Sequence, residues 1–382
     1  MTFLNEVLKE IDNEYASVAG NGITGGNVQF LNTGCYALNA LLSGSIYGGL
    51  PSNKITAIAG EESVGKSFVG MNIIKQLLDD DPKSIVVFFE SESAITEQFL
   101  DCRGIDKERV IFVPVSTVEQ FRTQSTKILE LYKKKKEGHK LFFMLDSLGM
   151  LSTNKEIKDI KESDTGPKDM TRPGLVRGAF RVLTLECGAL NVPLLLTNHT
   201  YTSVGSFISQ QEMAGGGGLK YAASSIIYLR KRKYKDTKKT LGNEIVASLK
   251  KGRFAKENSE VVLLLSYENG LDSYYGLQFI GMESGYIKAS STKSSPTTTY
   301  EFPNGNKGNW KEISKSPEQY FDEECMKMLE SSVAKYFKYG SSDEEILVDE
   351  PSFSESSIDE PNNQEIKEGS VETKKRGRPK KK

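Results

Sequence analysis

The chain has 382 residues, 37% of them hydrophobic and 26% charged, with a formal net charge of −1. That is enough apolar material for one large domain with extensions or for two domains, and any hold on nucleic acid must come from local basic patches rather than overall charge. No apolar run approaches the ~20 residues of a membrane span, the acidic N-terminus lacks a signal-peptide layout, and four scattered cysteines with two histidines supply no zinc set, so reduced thiols and a cytoplasmic location are expected.

Residues 1–30 read as a short helix (Phe3, Leu4, Val7, Leu8, Ile11) followed by a Gly/Asn-rich loop, an arm that can pack on its own subunit or on a neighbour. Leu38, Leu41 and Leu42 mark a second small helix, closed by Gly48, Gly49 and Pro51. From 54 to about 230, apolar strand-like runs (54–59, 85–89, 110–115, 141–145, 193–197, 226–229) alternate with helical stretches, notably 118–136 and 173–190. The strands are continuously apolar, as in a parallel sheet covered on both faces. Residues 244–249 and 260–267 read as further strands around a basic turn, an antiparallel extension at one sheet edge. A short helical element is expected in 271–286, a Ser/Thr/Lys-rich loop over 288–300, and helix around 317–339.

The most informative stretch is Gly60-Glu61-Glu62-Ser63-Val64-Gly65-Lys66-Ser67, which satisfies G-x-x-x-x-G-K-[ST] between a strand and a helix. Gly60 and Gly65 let backbone N–H groups turn onto phosphates, Lys66 adds positive charge, and the Ser67 hydroxyl can ligate Mg²⁺. Glu61, Ser63, Val64 and Phe68 count with it as nucleotide contacts, and ATP with Mg²⁺ is the expected cofactor pair. The buried run 141–145 ends in Asp146, a carboxylate placed to hold the metal's water shell; an Asp that merely caps a turn is the plainer alternative. Glu90 and Glu92 follow the second strand, and spacing alone does not choose between them as general base. His199 follows the run 193–197, where a polar group can report on the terminal phosphate.

The ordered set GEESVGKS, FFESESAIT, LFFMLDS, LLLTNH and AGGGGLKYAAS resembles the RecA-type recombinase family, and the segments SLGMLS, DMTR, NHTY and NGLDSYYGL resemble its phage UvsX branch. The likeness covers roughly residues 30–287. It implies a RecA-like P-loop NTPase core and a DNA-dependent ATPase. Such a protein forms a homo-oligomeric helical filament on single-stranded DNA, pairs it with double-stranded DNA, and works with single-strand-binding and mediator proteins. By position, the resemblance makes Glu92 the catalytic glutamate beside Lys66, Asp146 the Mg²⁺-associated acid, His199 the γ-phosphate sensor and Phe99 the aromatic near adenine. Lys251 and Arg253 become the basic residues that reach a neighbour's phosphates. Two DNA loops are implied. The first, about 152–172, carries Lys168 and Arg172 but also acids that oppose its charge; the second, about 200–218, carries Phe207, Gly215 and Gly216. The N-terminal arm becomes a polymerisation element.

Residues 340–372 hold eleven acids against one lysine and are expected to be disordered. The sign then reverses in KKRGRPKKK, where Arg376, Gly377, Arg378 and Pro379 resemble an AT-hook for the narrow minor groove of A·T tracts. The expected division is therefore an arm and lead-in (1–50), the ATPase core (51–287), a helical and loop extension (288–339), an acidic disordered linker (340–372) and a basic hook (373–382). Two other functions fit parts of the pattern: a RecA-core helicase or motor, and a weakly hydrolysing DNA-binding regulator.

Overall fold

The six apolar runs become neighbouring strands of one sheet in the computed structural model: β1 (Ile55–Gly60), β2 (Ser84–Glu90), β3 (Val110–Pro114), β4 (Lys140–Asp146), β5 (Leu194–Thr202) and β6 (Ser225–Asp236). The structure describes residues 3–340 apart from 12, 14, 22, 24, 136, 163–169, 203–210, 214–216, 237–238 and 293–294. The order is β6-β1-β5-β4-β2-β3, all parallel. Beyond β6 the sheet turns antiparallel through β7 (Lys239–Gly252) and β8 (Glu260–Ser266), then the two-residue strand Gly270–Leu271. This is the α/β architecture with an antiparallel edge that the sequence predicts.

The α-helices of six or more residues, in chain order, are α1 (Phe3–Glu10), α2 (Tyr36–Ser43), α3 (Lys66–Asp80), α4 (Glu97–Cys102), α5 (Val118–Lys134), α6 (Asn154–Lys161), α7 (Arg172–Leu190), α8 (Gly217–Ala222), α9 (Leu277–Glu283) and α10 (Glu323–Phe337). None of the described helices is long and apolar enough to cross a membrane. Alternate residues of each strand feed two cores, which is why the runs are apolar throughout. On one face Ile58, Phe142 and Met144 meet α2, α3 and the C-terminal extension. On the other Ala57, Phe143 and Leu145 meet Phe121 of α5 and Phe180 and Leu183 of α7. Helix α3 approaches the sheet closely at Gly70, where a Cβ would stand 2.5 Å from the Met144 methyl. Helix α5 starts at a capping box, Thr117 with Gln120.

Three segments differ from expectation. Residues 288–300, expected as loop, form an antiparallel hairpin, β9 (Lys288–Thr292) and β10 (Ser295–Glu301). The sequence of this hairpin carries no apolar alternation to betray it; residues 288–291 are exposed, and Tyr300 and Phe302 at its end are buried. Within 152–172, Thr153 accepts a hydrogen bond from the Glu156 amide and starts α6, a helix none of whose residues is buried. Strands β5 and β6 also outrun their apolar cores, because Gln211–Met213 pairs with Thr200–Thr202 and β7 pairs with the basic end of β6.

The extension is stitched to the sheet. Helix α10 buries Cys325, Met326, Leu329, Val333 and Phe337 at helical spacing, against α2 and α9. Trp310 packs edge-on to Tyr275 at 4.7 Å, and the Tyr275 hydroxyl donates to the Glu244 carboxylate of β7. Helix α1 is the opposite case: none of its residues is buried, and Phe3 is 77% exposed.

Trp310 is the chain's single tryptophan, so its fluorescence reports on the extension. Leu329→Ala, at a fully buried site, is expected to cost about 2–5 kcal/mol in urea unfolding. The tryptophan and circular-dichroism transitions should shift together. Separate transitions would contradict a shared core.

Candidate functional site

The parallel register sets the site. Gly60 stands opposite His199, Leu145 opposite Leu196, and Glu90 opposite Asp146. The ends of β1, β5, β4 and β2 therefore open on one edge of the sheet, where α/β folds bind ligands.

Gly60 ends β1 in close contact with β6; a Cβ there would lie 2.9 Å from the Leu229 carbonyl oxygen. The loop then passes Ser63 at φ 56° and Gly65 at φ 104°. Val64 is buried and anchors it, while Glu61 and Ser63 are exposed. Lys66, 7% exposed, donates to the carbonyl oxygens of Gly60 (3.1 Å) and Glu61 (2.7 Å). Burial lowers its pKa, against the opposing pull of Glu92, Asp146 and Glu62.

Asp146, 4% exposed, accepts a hydrogen bond from the Thr197 hydroxyl and another from Ser67. Burial nonetheless raises its carboxyl above the ordinary range, outweighing those hydrogen bonds. Ser91 ties the ends of β2 and β4 together: its amide donates to the Asp146 carbonyl at 2.9 Å, and its hydroxyl accepts from the Ser147 amide at 2.8 Å.

The two acids after β2 separate by geometry. Glu90 turns its carboxylate back on its own loop, accepting from the amides of Glu92 (3.2 Å) and Ala94 (2.9 Å). Glu92 points to the cluster. Its Oε1 accepts from the Ser147 hydroxyl at 2.6 Å and lies 3.0 Å from His199 Nε2. Burial pushes the Glu92 carboxyl up, but the bonds from Ser147 and His199 prevail and hold it below the usual carboxylate range.

Phe68 and Phe99 meet edge to face at 5.1 Å. Lys251 and Arg253 are not brought to the loop. Lys251 pairs with Ile226 and Gly252 with Ser225 at the start of β6, and Ser225 stands opposite Thr56, four residues before Gly60. They sit at the other end of the sheet, where Lys251 donates to the Lys220 and Tyr221 carbonyls. Arg172 is committed inward: its guanidinium donates to the carbonyls of Leu151 (2.8 Å), Leu148 (3.0 Å) and Gly149 (3.0 Å). Lys168, Phe207, Gly215, Gly216, Arg376, Gly377, Arg378 and Pro379 lie outside the described residues, as does the acidic linker beyond Gly340.

Sequence reasoning missed Ser91, Ser147, Thr197, Arg103 and Lys231. Lys231 donates to the Ser63 carbonyl at 2.7 Å. Ser147 adjoins Asp146 and Ser91 lies between Glu90 and Glu92, so both were open to inspection; the others are joined to the site only by strand register or by a helix end. Among the described residues no group of three or more His, Cys, Asp and Glu side chains is placed to hold a metal by itself.

Because the folded pKa of Asp146 is raised, its ionised form destabilises the fold at high pH, and this penalty vanishes below the unfolded pKa of about 3.9. Asp146→Asn is therefore expected to raise the melting temperature of the ligand-free chain near neutral pH, with the gain fading as pH falls into the carboxylate range. A gain independent of pH would contradict the burial argument.

The profile of the RecA N-terminal domain family matches residues 2–272. Among similar curated proteins, the "Recombination and repair protein" of Enterobacteria phage T4 is 32% identical over 250 residues, 65% of this chain and 62% of the relative. The match thus spans less than two thirds of the phage protein's length. "Protein RecA" of Cereibacter sphaeroides (strain ATCC 17023) is 24% identical over 268 residues, 69% of this chain and 74% of that protein. "Protein RecA" of Desulforapulum autotrophicum is 25% identical over 266 residues, 69% and 72% of the two chains. With this match across the sheet and its loop-bearing edge, the chain belongs to the RecA family.

Proposed function

We propose that the chain is a DNA-dependent ATPase of the recombinase type, forming a filament on single-stranded DNA and pairing it with homologous duplex. The observation that carries this reading is the gathering of Lys66, Asp146, Glu92 and His199 on one sheet edge, within a RecA-family core.

The residues fit ATP and Mg²⁺. The Lys66 ammonium is buried on two backbone carbonyls at the start of α3, and Ser67 and Asp146 offer hard oxygen ligands joined by a hydrogen bond. ATP supplies the phosphoanhydride bond and Mg²⁺ the charge that offsets its phosphates. Lys66 and the loop amides bind the phosphates, and Phe99 with Phe68 takes the base. Glu92, kept ionised by Ser147 and His199, is the proton acceptor for the attacking water. His199 is bonded to that same carboxylate, so it is suited to relay the phosphate's state to 200–218. The loop residues Lys168, Phe207, Gly215 and Gly216 are assigned to DNA, and Arg172 to bracing the turn beside them.

Two features favour assembly. Lys251 and Arg253 stand at the sheet end away from their own loop, consistent with service to a neighbour's phosphates, and α1 leaves its apolar face uncovered. The division into arm, core (51–287), extension and tail is part of the proposal, with the hook at 376–379 holding duplex DNA and the acidic linker restraining it. A helicase or motor on the same core is the second reading, favoured only by the shared site.

ATP turnover is expected to rise with single-stranded DNA and to lose that stimulation as salt increases, because phosphate contacts release counterions. Turnover insensitive to DNA, or directional unwinding, would favour the motor. Glu92→Gln is expected to keep nucleotide binding while turnover falls about 10²–10⁴-fold, and Lys66→Ala to lose binding. Normal hydrolysis by Glu92→Gln would remove Glu92 from the mechanism.

A further inference from the structure

Arg103 stands at the end of α4, and its guanidinium carbon lies 4.7 Å from the Phe68 ring centroid and 5.6 Å from that of Phe99. Both distances fall within the ~6 Å reach of a cation–π contact. Phe68 directly follows Ser67, so this aromatic pair is tethered one residue from the phosphate loop. Phe68 is 36% exposed, so its ring is open to a ligand. From the other side, the turn before Leu271 makes room for the arginine. Gly270 has φ 77°, and a Cβ there would come within 2.2 Å of Arg103 Nη1. Around them runs a groove of about 270 Å³ whose lining includes Phe68, Met71, Lys75, Arg103, Glu268 and Asn269. That is smaller than the ~300–1,000 Å³ of pockets for drug-sized ligands and suits a single flat ring. Its lining offers donors and acceptors for a heteroaromatic edge beside the Phe68 ring, and Phe99 stands behind that ring, edge to face.

We infer that Arg103 is a base-contacting specificity residue of the nucleotide site: its guanidinium plane and the Phe68–Phe99 pair together grip the purine of a bound triphosphate. A guanidinium stacks on a base as it does on a ring, and the glycine at 270 leaves it space to do so. The inference rests on the nucleotide reading above and adds a contact to the base rather than to the phosphates.

The test compares two probes, a slowly hydrolysed ATP analogue and inorganic tripolyphosphate, by calorimetry with Mg²⁺ on the full chain. Arg103→Leu is expected to weaken the analogue about 3- to 30-fold, to leave tripolyphosphate unchanged, and to keep the melting temperature. Arg103→Lys should recover part of the loss. Gly270→Ala, which would push the guanidinium aside, should weaken the analogue alone. Unchanged analogue binding by Arg103→Leu would overturn the assignment, and so would an equal loss for both probes, which would put its effect on the phosphate loop. Wild-type protein that binds neither probe would instead overturn the nucleotide reading itself, and this assignment with it.

Discussion

Everything at the candidate site depends on strand register. With Gly60 level with His199, and Glu90 level with Asp146, four separate stretches of chain bring their site residues to one edge. A slip of one residue in β4 would turn Asp146 to the other face of the sheet, among Leu145's neighbours. The register is held by two cores at once, since each strand buries one alternate set of side chains against α3 and the other against α5 and α7. A site built on strands locked from both faces has little freedom to drift.

Within that frame the charges are balanced against burial. Lys66 and Asp146 are both nearly enclosed, and burial disfavours the ionised form of each. What offsets this is local and short: two carbonyls for the ammonium, two hydroxyls for the carboxyl. Glu92 is more open, so its two side-chain hydrogen bonds outweigh burial and its carboxyl alone of the three groups is shifted in favour of the ionised form. The division follows from geometry. Asp146 is the buried last residue of a central strand, whereas Glu92 lies two residues beyond a strand end, where Ser147 and His199 can reach it.

The chain also contains groups that stand away from the candidate site. An amphipathic α1 buries nothing, and Lys251 with Arg253 occupy the sheet end opposite the phosphate loop. Both features sit outside the core contacts that hold β1 to β5, so they can engage another molecule without disturbing the site's register.

Sequence alone determined the alternating α/β pattern, the phosphate loop and the carboxylate at the end of β4, because each is a local pattern. Continuous apolar runs encode a doubly covered sheet, and G-x-x-x-x-G-K-S encodes a turn ahead of a helix. It missed the hairpin at 288–301, whose polar sequence carries no apolar alternation, and α6, whose signal was a cap rather than an apolar face. It also left Glu90 and Glu92 equivalent by spacing. Only tertiary structure turned one carboxylate onto its own loop and the other onto Ser147 and His199, residues 55 and 107 positions away along the chain. Thr197 against Asp146 and Arg103 against Phe68 belong to the same class. Contacts between distant segments depend on which strands lie side by side, and no local periodicity records that.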